Sequence, residues 1–380
     1  MARELGLGGT ERQLAETALV LDRARFAPRV GYFRPGGFRE AELRDAGVPV
    51  VELGVHSLVS PSALIGAGRL GRYLAGHDIR LVHTFDVPLD LFGVPVARLF
   101  RSPVILSSQR AHRALTPGAT RHLLRLTDRI ADGIVVNCRS VARELVSQDG
   151  VPASRIHLAY NGIDTGVFCP EGAVAEAPWR DAAISVPGPR PPAPGPPVSA
   201  TVIGVVCALR PEKGLPLLLD AFARVRRSHP EARLLVVGGG PMLAELEARA
   251  RALELGADCR FQSAAQNVAE WLRVMDIFVL PSLSEALSNS LMEAMACGCC
   301  AIASDTGGNP ELVRDGETGL LFPTGDSAAL AARLEGVLAN LDARRRLAAN
   351  GAQFMRECFS RESAARRMGE IYTSYLEQTE

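Results

Sequence analysis

Lysine is almost absent from this chain: of 42 basic side chains in 380 residues, only Lys213 is a lysine, and the rest are arginine. Net charge is absent too, because 42 acidic residues match the basic ones. That balance argues against nucleic acid as a main partner, since such binding depends on clustered positive charge neutralising phosphates. No apolar run reaches the ~18 residues needed to span a bilayer, and the opening MARELGLGGTERQ is no signal peptide. A cytoplasmic protein is expected. The eight cysteines, Cys138, Cys169, Cys207, Cys259, Cys297, Cys299, Cys300 and Cys358, lack paired ligand spacing and sit mostly in apolar runs, so they read as small, reduced core residues. Clustered Asp or His ligands of the kind a divalent ion needs are missing as well, and no metal is expected.

What is present begins with size, which suffices for two domains, each with its own core. Strand-like runs at 29–33, 48–53, 79–83, 104–107, 133–136 and 156–160 alternate with helical patterns, and so do those at 201–208, 234–240, 259–262, 276–280 and 300–304. Alternation of this kind predicts an α/β fold with doubly wound parallel sheets. Between the two series, PGPRPPAPGPP at 187–197 cannot enter a helix or sheet interior and reads as a stiff linker or insertion.

In open parallel sheets ligands sit beyond the carboxyl ends of the strands, and several turns there carry chemistry. DIFVL at 276–280 reads as a buried strand stopped by Pro281, after which Glu285 falls in a polar turn. From about Asn289 the spacing of Leu291, Met292 and Met295 is helical, so Glu293 lies in the first two turns, where the helix dipole favours anions. Ser290 followed three residues later by Glu293 also spells a capping box, with the glutamate serving a free backbone N–H; both readings stand. The lone Lys213 lies in the strand-to-helix turn Leu209-Arg210-Pro211-Glu212-Lys213-Gly214, a place suited to a compact ammonium beside a phosphate. Gly6 to Thr10 form a glycine turn that opens a helix and can cradle an anion. GGGP at 238–241 matches a dinucleotide fingerprint only loosely.

Glu285 and Glu293 with seven residues between them, then Ala294-Met295-Ala296-Cys297-Gly298 and Asp305-Thr306-Gly307-Gly308-Asn309-Pro310-Glu311, resemble the signature of the retaining family-four glycosyltransferases of the GT-B fold. The resemblance runs from Gly6 to about Cys358. It implies two Rossmann-like domains facing a central cleft: an acceptor-binding domain at 1–168, a Pro-rich linker at 169–198, a sugar-nucleotide domain at 199–358, and a tail at 359–380 crossing back to the first domain. The strand that precedes the glycine loop in the family has no counterpart here, which predicts a gap in the first sheet.

By the same resemblance Lys213, Arg210 and Glu285 are the catalytic candidates, with Gly8, Gly9, Ser288, Asn289, Leu291 and Glu293 on the donor side. His83, Asp86, Gln109 and Arg110 fall on the acceptor side, and His112 and Arg113 lie close enough in sequence to hold an acceptor hydroxyl or phosphate. The implied reaction moves a sugar from a nucleotide sugar, UDP- or GDP-linked, to a saccharide, lipid-linked or other hydroxyl acceptor with retention of configuration. Its setting would be cell-surface polysaccharide or glycolipid synthesis, with room for peripheral contact at the cytoplasmic membrane face. No cofactor beyond the donor is implied. Three positions depart from the family: Ala208 stands where an arginine is usual, Gln109 where a histidine is common, and the turn at 265–268 lacks its glycine. A non-catalytic sugar-nucleotide-binding subunit and a GT-B epimerase therefore stay open.

Overall fold

The structure is a computed structural model and describes residues 1–6, 8–171, 200–263 and 267–379; the proline-rich run at 187–197 and residues 265 and 266 of the turn at 265–268 lie outside the described residues. The chain divides into two compact units, Met1–Gly162 with Phe359–Glu380, and Ile163–Cys358. The second unit thus starts earlier than the boundary expected at 168. Arg273 of that unit explains why: its guanidinium donates to the carbonyls of Val167 (2.6 Å) and Cys169 (3.0 Å).

Six parallel strands build the first unit: β1 (Val30–Tyr32), β2 (Val50–Glu52), β3 (Leu81–Thr84), β4 (Val104–Gln109), β5 (Gly133–Val136) and β6 (Ile156–Leu158). β4 and β5 are buried along their whole length, as expected for strands covered on both faces by helices. These strands form two sheets, β1-β2 and β3-β4-β5-β6. Among the described residues Met1 to Arg3 run between them: the Ala2 amide donates to Gly31 O and the Phe33 amide to Arg3 O on one side, while the Met1 ammonium donates to His83 O and the Phe85 amide to Met1 O on the other. A cavity of about 400 Å³ lies between the two sheets, walled in part by Leu14, Leu21, Leu53, Leu70 and Leu74. The helix Arg361–Leu376 closes this unit by packing Met368, Ile371 and Tyr372 against Val104, Leu106 and Val135.

The second unit holds one six-stranded parallel sheet of β7 (Val202–Val206), β8 (Arg233–Val237), β9 (Cys259–Gln262), β10 (Ile277–Leu280), β11 (Cys300–Ser304) and β12 (Leu320–Phe322), in the order β12-β11-β10-β7-β8-β9. From β7 the chain winds outward through β8 and β9, then returns to β7's other side at β10 and winds outward again. The switch point between β7 and β10 is where a doubly wound sheet opens a crevice for ligands. On the helix Leu215–Val225, Leu215, Leu218, Leu219, Phe222 and Val225 make one buried stripe at helical spacing, with Pro216 in the first turn, where its missing N–H costs nothing. Phe222 is fully buried, and truncating such a side chain to alanine costs about 3–5 kcal/mol. The cysteines carry free thiols: Cys138, Cys297, Cys299 and Cys300 are buried, whereas Cys358 is exposed and Cys169, Cys207 and Cys259 are half-buried. Burial pushes the Cys297 and Cys300 thiols up to about 12.

Candidate functional site

Three loops meet beyond the carboxyl ends of β7, β10 and β11. The turn after β7, a single 3-10 turn at Pro211–Lys213, is tied to the loop after β10 because the Glu212 carbonyl accepts from the Leu283 amide (2.8 Å). Gly214 completes that turn at φ +63°, and a Cβ there would collide with the Pro281 carbonyl, so the close approach requires glycine. The loop after β11 closes the set: Ser304 Oγ donates to Ser282 O (2.6 Å), Asn309 Nδ2 to Ser304 O (3.0 Å), and the Gly308 amide to Ala286 O (2.7 Å). Gly307, at φ +57°, lies against the Glu285 carbonyl so closely that any Cβ would collide with it.

This interlock brings Lys213 and Glu285 together. Lys213 Nζ donates to Glu285 Oε2 at 2.5 Å, and the two side chains are only 18% and 12% exposed. Ser282 Oγ donates to the same carboxylate oxygen at 3.1 Å. The pair is therefore held by backbone-to-backbone ties on both sides, and the carboxylate fixes the ammonium at the switch point. Arg210 is not part of it: its side chain is 62% exposed and its guanidinium is 3.9 Å from Glu212. Ala208, two residues past the end of β7, is exposed.

The helix after the loop runs over Asn289–Ala296. Its N-cap is Ser288, whose Oγ accepts from the Leu291 amide at 3.3 Å, so the capping box expected from Ser290 and Glu293 does not form. Ser288 is the residue with extended backbone, φ −80° and ψ 113°, whereas Ser290 already lies inside the first turn. Glu293 sits beyond the position from which a glutamate could reach back to the cap, and it is buried, 3% exposed. Leu291 is fully buried, so it can serve this site only through its backbone, while Asn289 is half-buried at the helix start. Ser282 was not foreseen as part of the site; its one sequence signal is its place at the end of a buried strand.

In the first unit the acceptor-side candidates take different positions. His83 is buried with both ring nitrogens engaged, Nδ1 with Tyr372 Oη (2.7 Å) and Nε2 with Ser108 Oγ (2.8 Å). Burial, then the nearby Met1 ammonium and Arg110, hold its pKa well below the usual imidazole range. Asp86 caps the helix Val87–Leu99 by accepting from the Leu89 amide (3.0 Å), and it also accepts from the Arg3 amide (2.8 Å). Gln109 holds Arg113 through its Oε1 (2.9 Å) and the Ala111 carbonyl through its Nε2 (2.7 Å). Arg113 is buried in a two-pronged pair with Asp128 (2.6 and 2.8 Å), and His112 Nδ1 lies 2.5 Å from Glu144. His83, Asp86, Gln109, His112 and Arg113 are thus each engaged with neighbouring protein groups. Arg110, unlike Arg113, has no carboxylate partner among the described residues: Nη1 donates to Asn161 Oδ1 at 2.6 Å and the guanidinium lies over the Phe85 ring at 5.0 Å. Gly8 caps the helix Gly9–Val20, and the Glu11 carboxylate folds back against it where a Cβ would collide.

Among the described residues no three His, Cys, Asp or Glu side chains are grouped as metal ligands, and no helix is long and apolar enough to cross a membrane. The family model described as Glycosyl transferases group 1 matches residues 191–354, and that of Glycosyltransferase Family 4 matches residues 7–167. The GDP-mannose-dependent alpha-(1-6)-phosphatidylinositol monomannoside mannosyltransferase of Mycolicibacterium smegmatis is 30% identical over 287 residues, 72% of this chain and 71% of that protein. The D-inositol 3-phosphate glycosyltransferase of Corynebacterium efficiens is 28% identical over 296 residues, 75% of this chain but 66% of its own length. Among solved structures, Anabaena HepE in complex with UDP superposes with a TM-score of 0.82 at 19% identity, covering 98% of each chain.

Proposed function

Since this chain belongs to the group 1 glycosyltransferases, built as GT-B folds of two Rossmann-like domains, we propose that it transfers a sugar from a nucleotide-sugar donor to a hydroxyl acceptor with retention of anomeric configuration. The observation that carries this reading is the Lys213–Glu285 pair at the switch point between β7 and β10. As the bond from sugar C1 to the diphosphate oxygen breaks, negative charge grows on the leaving phosphate and must be met by fixed donors. Lys213 supplies that charge, held by Glu285 and the tied loops rather than free to sample solvent. The helix Asn289–Ala296 presents its amino end to the same region, worth about 0.3–1 kcal/mol toward an exposed anion. Glu285 is assigned to the donor-sugar hydroxyls, and Glu293 to the ribose diol. The acceptor oxygen attacks C1 on the face the phosphate leaves, its proton passes to the leaving phosphate oxygen, and neither glutamate becomes a nucleophile. Charge neutralisation is thus assigned to the protein's own groups, with no metal or further cofactor in the scheme.

The M. smegmatis relative is named for GDP-mannose and the Anabaena structure holds UDP, so both nucleotide classes belong in the first screen. Thermal shift with UDP- and GDP-sugars is expected to raise the melting temperature for one class, by about 2.7 kcal/mol of apparent stability at a hundredfold excess over the dissociation constant. NMR of the product anomeric proton then reads retention. Conversion of the donor sugar without any acceptor would replace transfer by epimerisation, and inversion would remove the same-face mechanism.

A further inference from the structure

Two arginines three residues apart on the segment that leaves β4 have opposite surroundings. Arg113 is fully buried and answered by Asp128 through two hydrogen bonds, with Asp149 at 3.5 Å. Arg110 is half-buried in neutral company: Asn161 Oδ1 on Nη1, the Phe85 ring across one face, and His83 and Tyr372 alongside. Its Nε is buried and has no hydrogen-bond partner among the described residues. Desolvation brings its pKa down to about 10, against the usual upward pull of a carboxylate. A guanidinium desolvated without a counter-charge is costly, and buried charges are as a rule paired. Asn161 and Phe85 hold two sides of the group, which leaves the Nε–Nη2 edge. That edge is the fork that binds a phosphate or carboxylate through two parallel hydrogen bonds. It also lies where a parallel sheet receives ligands, since Phe85, Arg110 and Asn161 follow the carboxyl ends of β3, β4 and β6.

We propose that Arg110 is an oxyanion-recognition residue of the first unit and that the acceptor carries a phosphate or carboxylate group which it grips. This rests on the reading that the first unit takes the acceptor of a glycosyl transfer. The anion supplies the missing counter-charge, so acceptors without one are discriminated against by leaving a desolvated cation unanswered.

Inorganic phosphate is the probe, titrated by calorimetry at low ionic strength into the full chain and into three variants, with a urea melt of each. Arg110→Gln is expected to weaken phosphate binding at least tenfold, Arg110→Lys to weaken it less because the charge stays but the fork is lost, and Lys213→Ala to retain the Arg110-dependent binding. Should Arg110→Gln fail to fold, Arg110→Lys carries the comparison alone. Unchanged phosphate affinity in both Arg110 variants overturns the proposal. Loss of UDP or GDP affinity in parallel with phosphate assigns the anion to the donor diphosphate and overturns the acceptor assignment. Phosphate binding needs no turnover, so a chain that grips phosphate through Arg110 yet transfers no sugar would sink the proposed reaction and leave the oxyanion site standing.

Discussion

Replacing Lys213 by alanine separates two jobs that one side chain performs. With opposite charge centres about 3–4 Å apart and an effective dielectric of 20, the gross attraction in the Lys213–Glu285 pair is about 4–5 kcal/mol, most of it offset by desolvation of two groups that are 18% and 12% exposed. Removing the lysine leaves the Glu285 carboxylate in that site without its ammonium, with Ser282 still donating to it. For a fully buried pair that loss is about 3–5 kcal/mol; with some water reaching this one, about 2 kcal/mol is expected. In a unit of this size the melting temperature then falls by about 4–8 °C. The catalytic loss is separate, because an ammonium that meets growing phosphate charge acts more strongly in the transition state than on bound donor. Turnover at saturating donor and acceptor is expected to fall by about 100-fold or more, the loss seen when one such donor is deleted. The double variant Lys213→Ala with Glu285→Gln distinguishes the two jobs. It removes the stranded charge, so unfolding in urea returns most of the way to wild type, while turnover stays low. If the double variant regained wild-type turnover, the lysine would serve only to neutralise Glu285, and the phosphate mechanism would be refuted. Arg210→Ala, on an exposed side chain, is expected to change turnover by less than a few-fold.

Glu293→Gln should raise the donor dissociation constant by about 1–2 kcal/mol, roughly 5- to 30-fold, through loss of charge-assisted bonds to the ribose diol; isothermal titration showing unchanged nucleotide affinity with only a lower melting temperature would leave Glu293 a structural residue. Gly307→Ala forces a Cβ against the Glu285 carbonyl at φ +57° and is expected to displace the loop that holds Glu285, lowering donor affinity and stability together, by more than the ~1 kcal/mol of an ordinary glycine replacement; calorimetry on a well-behaved variant with wild-type affinity would show the contact to be soft. His83 sets a pH dependence. Its folded pKa lies well below the unfolded value of about 6.5, so below pH 6.5 the unfolded state binds the extra proton. Stability therefore falls as pH drops from about 7, by up to about 1.4 kcal/mol per unit until the folded pKa is reached. His83→Gln, which cannot charge, is expected to flatten that slope, and an identical slope in urea titrations at pH 5 to 7 would assign it to other groups.

The buried strands were legible because fully covered parallel strands must be continuous apolar runs: 133–136 and 300–304 coincide with β5 and β11; the half-buried edge strand β9 also coincides with 259–262, and the amphipathic tail coincides with the helix Arg361–Leu376. Lys213 and Glu285 were each legible too, one by its singularity in an arginine-rich chain and the other by its place after a buried strand. What their 72-residue separation could not express is that they touch; that follows from sheet order, which sets β7 beside β10 and so lays their loops together. Tertiary structure alone also decided the cap, because Ser288 and Ser290 have the same chemistry and differ only in backbone angles dictated by the ties at Ala286 and Ser304. It decided the histidine and the arginines in the same way. Polar residues at strand ends read alike in sequence, whether they face Tyr372, pair with Asp128, or stand without a carboxylate as Arg110 does. Burial and the partner across the fold determine which contacts each of them makes, and neither is a property of local sequence.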